Sequence, residues 1–257
     1  MSVSSELLFQ FILAGLIIGI LYALMAIGIT FIYSIMKLIN WAMGDFYMIG
    51  SFVQYLIVAF VIGNSFWYLG IPIAMGVVFA LGMIVQRVLI KPMFTGGLER
   101  KTEYATIITI TLALLLRSLA AALNGPYQRT PGQYMDKVYI GPLAVSGDRV
   151  VAGIGALVIM ALFYFILRKT WIGMALRAAA QNRVGIQTAG INIEQLDQIA
   201  FGIGVALAAA AGALLAPVFL VFPNNGAITT MKGFEIIIIG GLGSIPGALI
   251  AGISLGL

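Results

Sequence analysis

Apolar runs separated by short polar or Gly/Pro-rich stretches recur along the whole chain. They fall at about residues 7–35, 46–62, 69–89, 104–123, 150–167, 198–222 and 234–257. A helix crosses the ~30 Å hydrocarbon core with roughly 17–25 apolar residues, so each run is of spanning length. The breaks carry turn chemistry: Gly63-Asn64-Ser65, Lys91-Pro92 through Lys101, Asn124-Gly125-Pro126 through Asp148, and Pro223-Asn224-Asn225-Gly226. The first run is long for one span and either tilts or breaks near Asn40. In the last, residues 240–246 suggest a broken or re-entrant helix followed by an incomplete one, and the natural chain is expected to continue further. The pattern predicts an all-α polytopic membrane protein, one transmembrane domain over residues 1–257 with about seven or eight spans. The alternating signature of an outer-membrane barrel is missing.

One long stretch departs from this pattern. Residues 168–198, RKTWIGMALRAAAQNRVGIQTAGINIEQLDQ, are basic, polar and helix-forming between two spans. Arg168, Lys169, Arg177 and Arg183 place the stretch on the cytoplasmic side by the positive-inside rule. Its Ala-rich part, GMALRAAAQNR (173–183), reads either as a surface helix lying at the membrane or as a docking surface. The small residues favour docking, since they leave room for a soluble partner to close upon them.

Composition supports the membrane reading. The chain is 61% hydrophobic and 9% charged, with a mean hydropathy of +1.08, where soluble domains carry roughly 25% charged residues. The 31 glycines fit close helix packing and helix breaks. With no Cys and no His, the chain forms no disulfide and offers no thiolate zinc site, imidazole base or haem ligand. Its N-terminus, MSVSSELLFQFILAGL, shows no basic leader or cleavage signal and reads as the start of the first mature helix.

With the N-terminus outside, Lys37, Arg87, Lys91, Arg100, Lys101, Arg168, Lys169, Arg177 and Arg183 fall in the cytoplasm, nine of 14 basic residues. Arg129, Lys137, Arg149 and Lys232 then lie outside, and Arg117 within a span. The imbalance supports that orientation. The basic residues form no continuous face, which argues against nucleic-acid binding. MGDFYMIGSF (43–52) and KGFEIIIIGGL (232–242) echo each other faintly and enter from opposite sides, as halves of an inverted repeat would.

Few residues are placed to carry chemistry. Asp45, with Asn40 and Gly44 before it, either lines a translocation path or binds a cation such as a substrate ammonium, or else caps a helix starting at Phe46. Glu235 is either a pore-mouth acid or the partner of Lys232 three residues away. Arg117 either snorkels to the external interface or holds an anionic substrate or an acid of another helix. GGLGSIPG (240–247), with Gly240, Gly241 and Gly243, lacks the Gly-Lys-Ser/Thr ending of a phosphate loop and reads as an unwound or closely packed segment. Gly15/Gly19 and Gly252/Gly256 read as helix-packing pairs. No metal or nucleotide site is expected in this chain.

Four stretches resemble permease subunits of branched-chain amino-acid ABC importers, within the group that includes ribose-type and urea permeases. They are AGLIIGILYALMAIGITFIYSIMKLINWAMGDFYMIGSF (14–52), GMALRAAAQNRVGIQTAGIN (173–192), FGIGVALAAAAGALLAP (201–217) and FEIIIIGGLGSIPGALIAG (234–252). The resemblance implies a pathway-forming, multi-pass subunit of the bacterial inner membrane. It also implies a homologous second permease, two cytoplasmic ATPase subunits that use ATP and Mg, and an external solute-binding protein. Gly173, Arg177, Ala178, Ala179, Asn182, Gly190, Ile191 and Asn192 then belong to the ATPase-coupling segment. The pathway candidates are Asn40, Gly44, Asp45, Glu235, Gly240, Gly241 and Gly243. Where the family usually reads Asn-x-Ala-His-Gly-Glu, this chain has Met43 for His and Asp45 for Glu. That departure leaves a permease for urea or another small polar solute open. An ion-coupled secondary transporter would need more buried acids than Asp45 and Glu235, and a membrane enzyme a catalytic cluster that the sequence lacks.

Overall fold

The computed structural model describes residues 5–95, 99–140 and 143–257. Residues 1–4, read above as the lead into the first span, lie outside the described residues, as do 96–98 and 141–142 of the loops after Lys91 and Asn124.

The helices are α1 (Ser5–Met36), α2 (Met43–Ile57), α3 (Gly70–Val85), α4 (Lys91–Thr95), α5 (Lys101–Asn124), α6 (Gly147–Lys169), α7 (Trp171–Gln181), α8 (Arg183–Thr188), α9 (Ile193–Leu215), α10 (Asn225–Gly240) and α11 (Ile245–Gly256). π-Helical turns extend α2 over Val58–Ile62 and α3 over Gln86–Ile90. Two three-residue strands, β1 (Val138–Ile140) and β2 (Leu143–Val145), pair antiparallel in the loop before α6. Among the described residues, six helical segments are long and apolar enough to span a membrane. A seventh unit is α10 with α11, bent by 118°.

The bundle is organised around α9. Its Ala- and Gly-rich sequence lets neighbouring backbones approach closely, and 83% of its span is buried against 28% for α5. The Cα side of Gly204 faces Ile32 and Gly28 of α1, that of Gly212 faces Tyr47 of α2, and that of Gly202 faces Phe79 and Met83 of α3. Within lipid no hydrophobic drive separates helix from tail, so van der Waals contact at these small residues holds the bundle.

Two contacts fix the sides. Arg183, between α7 and α9, donates to the Ile35 carbonyl at the end of α1 (3.0 Å), and Lys91 pairs with Glu194 in the first turn of α9. The ends of α1 and α3–α4 and the start of α9 therefore share one side with α7 and α8, the basic side assigned to the cytoplasm. The first run ends at Lys37 (φ 56°), and the non-helical stretch 37–42 contains Asn40, near which the break was expected. From there a non-helical segment leads to α2, which runs parallel to α9, as Phe46 on Phe201 and Gly50 on Ala209 require.

The last apolar run doubles back along α1. Gly233 of α10 faces Met25 and Ile29, Gly243 lies beside Tyr33, and then Gly252 meets Ala23 and Gly256 meets Gly15. The break falls where Gly241 (φ 88°) and Gly243 (φ 91°) take conformations that L side chains resist. Ser244 then caps α11 through the Gly247 N–H (3.1 Å), with Pro246 in its first turn. The small-residue pairs at Gly15/Gly19 and Gly252/Gly256 are the contact surface between α1 and α11.

Candidate translocation site and coupling segment

Asp45 does not cap a helix starting at Phe46. α2 begins at Met43, and Asp45 lies in its first turn. Its carboxylate, fully buried, receives the guanidinium of Arg117, Nε to Oδ1 at 2.6 Å and Nη2 to Oδ2 at 3.2 Å. Arg117 therefore folds onto an acid of another helix instead of snorkelling to the interface. A fork of this geometry satisfies both charges where water is scarce.

The turn carrying Asp45 is clamped on both sides. Asn40 Oδ1 accepts the Ala42 N–H at 3.0 Å, shaping the entry to α2. The Gly44 N–H donates to Thr230 Oγ1 at 3.0 Å, and Thr230 Oγ1 donates in turn to the Gly226 carbonyl at 2.8 Å. Gly44 and Gly226 pack backbone to backbone. Asn225 bonds Ser51 and the Phe234 ring packs tilted against Trp41, so α2 and α10 run antiparallel and cross within their first turns. Gly44 thus meets Gly226 at this crossing, whereas the Lys232–Leu242 window of the sequence echo begins further along α10.

Lys232, counted with the external loops, lies two turns into α10. It pairs there with Glu235 (2.9 Å), the local ion pair expected from their spacing. Gly240, Gly241 and Gly243 form the α10–α11 break; Gly240 packs on Gly247, away from Asp45 and Arg117. The pathway candidates therefore separate into two places: Asn40, Gly44 and Asp45 at the helix crossing, and Gly240, Gly241 and Gly243 at the break, with Glu235 between.

Arg117 also lines two cavities. One, of about 350 Å³, is lined by Arg117, Ser118, Ala121, Pro126, Pro223 and Asn224. The other, of about 270 Å³, is lined by the same Arg117 with Trp41, Leu114, Met231 and Phe234. Both run between α5 and the start of α10. Pairing with an acid is one of the alternatives that the sequence leaves open for Arg117; which acid it takes, 72 positions away, carries no local signal.

The cytoplasmic segment is a chain of capped joints. Thr170 Oγ1 accepts the Gly173 N–H (3.1 Å), and Gly173 packs on the last turn of α6. Asn182 caps α8 through Gly185 (2.9 Å), Gly190 turns at φ 81°, and Asn192 caps α9 through Gln195 (3.2 Å). Ile191 packs against the core. On α7, Ala179 is buried whereas Arg177 and Ala178 are exposed, beside exposed Trp171 and Met174, with Val184 exposed on α8. Arg183 forks onto Asp197 of α9 (2.5 and 3.1 Å) and lies over the Phe94 ring (4.8 Å). Asp197, an acid one turn into an apolar helix, is the signal that sequence reading passed over.

A model of the family described as branched-chain amino acid transport system / permease component matches residues 11–257. The high-affinity branched-chain amino acid transport system permease protein LivH of Escherichia coli (strain K12) is 31% identical over 256 residues, covering 95% of this chain and 82% of its own. The corresponding permease protein BraD of Pseudomonas aeruginosa is 28% identical over 262 residues, covering 96% and 83%. The probable branched-chain amino acid transport permease protein LivH of Methanocaldococcus jannaschii is 31% identical over 254 residues, covering 96% and 79%. No solved structure gives a significant match.

Proposed function

We propose that this chain, which belongs to the family of branched-chain amino acid transport permease components, moves amino acids along the groove between α5 and α10. It is a membrane-spanning permease subunit of a binding-protein-dependent importer, multi-pass in the bacterial inner membrane. It is a transport subunit, and partner ATPases hydrolyse the ATP. The amino-acid substrate is carried over from the relatives' names.

One observation carries the placement of the path. α2 and α10 enter from opposite sides and meet in their first turns at Gly44 and Gly226, beside the Asp45–Arg117 pair, whose arginine lines both cavities. Broken helices whose N-termini converge inside the membrane are a recurrent way of building a solute site. α5 is peripheral, and its exposed Ile107, Leu114 and Leu115 leave that flank open to a homologous second permease, which would close the groove.

Two ATPase subunits, each binding ATP and Mg, would dock on α7 and α8. Exposed Trp171, Met174 and Val184 on a cytoplasmic surface are the support for this contact. The acids described within the spans all have partners: Asp45 with Arg117, Glu103 with Arg100, Glu194 with Lys91, Asp197 with Arg183, Glu235 with Lys232, and Asp148 with the Tyr134 and Met135 N–H groups. That disfavours an ion-coupled carrier, which needs acids free to bind its ion.

The test is uptake in proteoliposomes holding this chain with its partner permease, ATPases and binding protein. Leucine, other neutral amino acids, urea and ribose are supplied outside and ATP inside. Leucine uptake requiring both ATP and the binding protein is expected. Uptake by this chain alone under an ion gradient would overturn the reading.

A further inference from the structure

The two cavities between α5 and α10 have one lining residue in common, Arg117. A guanidinium carries five N–H donors in a planar fork, and Asp45 takes one from Nε and one from Nη2, leaving three. Among the described residues no other acceptor takes them. The side chain of Arg117 is 26% exposed and that of Asp45 0%, so the cation faces the cavities and the acid is hidden behind it. An anion reaching this guanidinium meets donors. An ammonium meets none of the acid's oxygens, because Arg117 covers them.

We propose that Arg117 receives the carboxylate of the transported solute, first from the Pro223–Asn224 cavity and then from the Trp41–Phe234 cavity. The proposal deepens the amino-acid reading above and rests on it. Arg is the side chain suited to a planar carboxylate, through paired N–H bonds that a lysine cannot reproduce. Asp45 is the positioning residue: it fixes the plane of the fork and neutralises it between transport events, so Arg117 binds an anion without trapping it. The converging first turns of α2 and α10 add their positive ends to the same region. Beyond the guanidinium, Trp41, Leu114, Met231 and Phe234 give an apolar chamber for an aliphatic side chain. The feature read at this guanidinium is therefore a carboxylate carrying an apolar side chain, with or without an α-ammonium.

Trp41 supplies a direct readout. With Trp67→Phe and Trp171→Phe it is the remaining tryptophan of the three in the chain, and its emission is followed for the full chain in phospholipid vesicles. Leucine and 4-methylpentanoate, which share a carboxylate, are expected to titrate Trp41 saturably, and isoamylamine, which lacks one, is not. The pair Asp45→Asn with Arg117→Gln keeps a neutral hydrogen-bonded couple, and it should weaken both carboxylates at least tenfold. Isoamylamine binding as tightly as leucine, or leucine binding undiminished in the double variant, would overturn the proposal. Should the double variant misfold, the ligand series in the parent still decides. An assembled importer that moves no amino acid, while 4-methylpentanoate still titrates Trp41, would sink the amino-acid reading and leave the carboxylate site standing.

Discussion

Gly44 and Gly226 stand so close that a Cβ on either would collide with the carbonyl oxygen of the other. This contact lets two helices that enter from opposite sides cross in their first turns. The neighbouring Thr230 hydroxyl links them by accepting from Gly44 and donating to Gly226.

Gly44→Ala and Gly226→Ala should therefore each destabilise the protein by about 1–3 kcal/mol, toward the upper end because backbone rather than a flexible side chain must yield. Gly76→Ala is the control. A Cβ there meets nothing within 4 Å, and Ala is the better helix former by roughly 1 kcal/mol. Thermal unfolding in detergent should separate the two crossing variants from Gly76→Ala. Equal midpoints for all three would refute the close crossing.

The Asp45–Arg117 pair makes a distinct claim about stability. Arg117→Ala leaves a fully buried carboxylate alone, a defect worth about 3–5 kcal/mol in comparable buried pairs. Adding Asp45→Asn should recover much of that loss, because an amide needs no counter-charge. A double-mutant cycle on unfolding midpoints measures the coupling. Additive effects would mean that the two side chains do not meet.

What could be read from the sequence follows from how local each signal is. Hydropathy places α1, α5 and α6 within about three residues of their observed ends, because apolar length is a property of the segment itself. The break before α11 is equally local: Gly241 and Gly243 at positive φ, Ser244 as cap and Pro246 behind it are consecutive. α9 begins at Ile193, not near Gln198, because Asn192 caps it and the polar first turn reads as loop. Asp45 and Arg117 each stand as a lone charge in an apolar run, so capping and snorkelling satisfy the sequence equally well. Only packing α5 beside α2 brings them together. Gly226 is hidden for the same reason, inside a Pro-Asn-Asn-Gly turn whose contact with Gly44 lies beyond any local window.

Arg183 ties the cytoplasmic segment to three elements at once: Asp197 of α9, the Ile35 carbonyl ending α1, and the Phe94 ring of α4. A push on α7 and α8 would reach the bundle through this residue. Arg183→Gln should cut ATP-driven uptake at least tenfold while the assembled importer continues to hydrolyse ATP. Arg183→Lys should not rescue it, since an ammonium cannot fork onto Asp197 and reach Ile35 together. Loss of hydrolysis and uptake in parallel would instead indicate failed assembly with the ATPase.

Adjacent alanines on α7 give the sharpest test of docking. Ala178 is exposed, whereas Ala179 is 2% exposed and packs into the bundle, so the two are not interchangeable probes. Ala178→Trp adds bulk where the ATPase is proposed to close and touches nothing inside the chain. It should insert normally, unfold at the parent's midpoint and lose ATP-driven uptake. Ala179→Trp forces an indole into a filled site and should lower the unfolding midpoint before any partner is added, by about 1–3 kcal/mol of overpacking or more. Measuring midpoint and uptake on both variants separates contact with a partner from damage within the fold. Normal uptake with Ala178→Trp would leave α7 as a surface helix with no part in coupling.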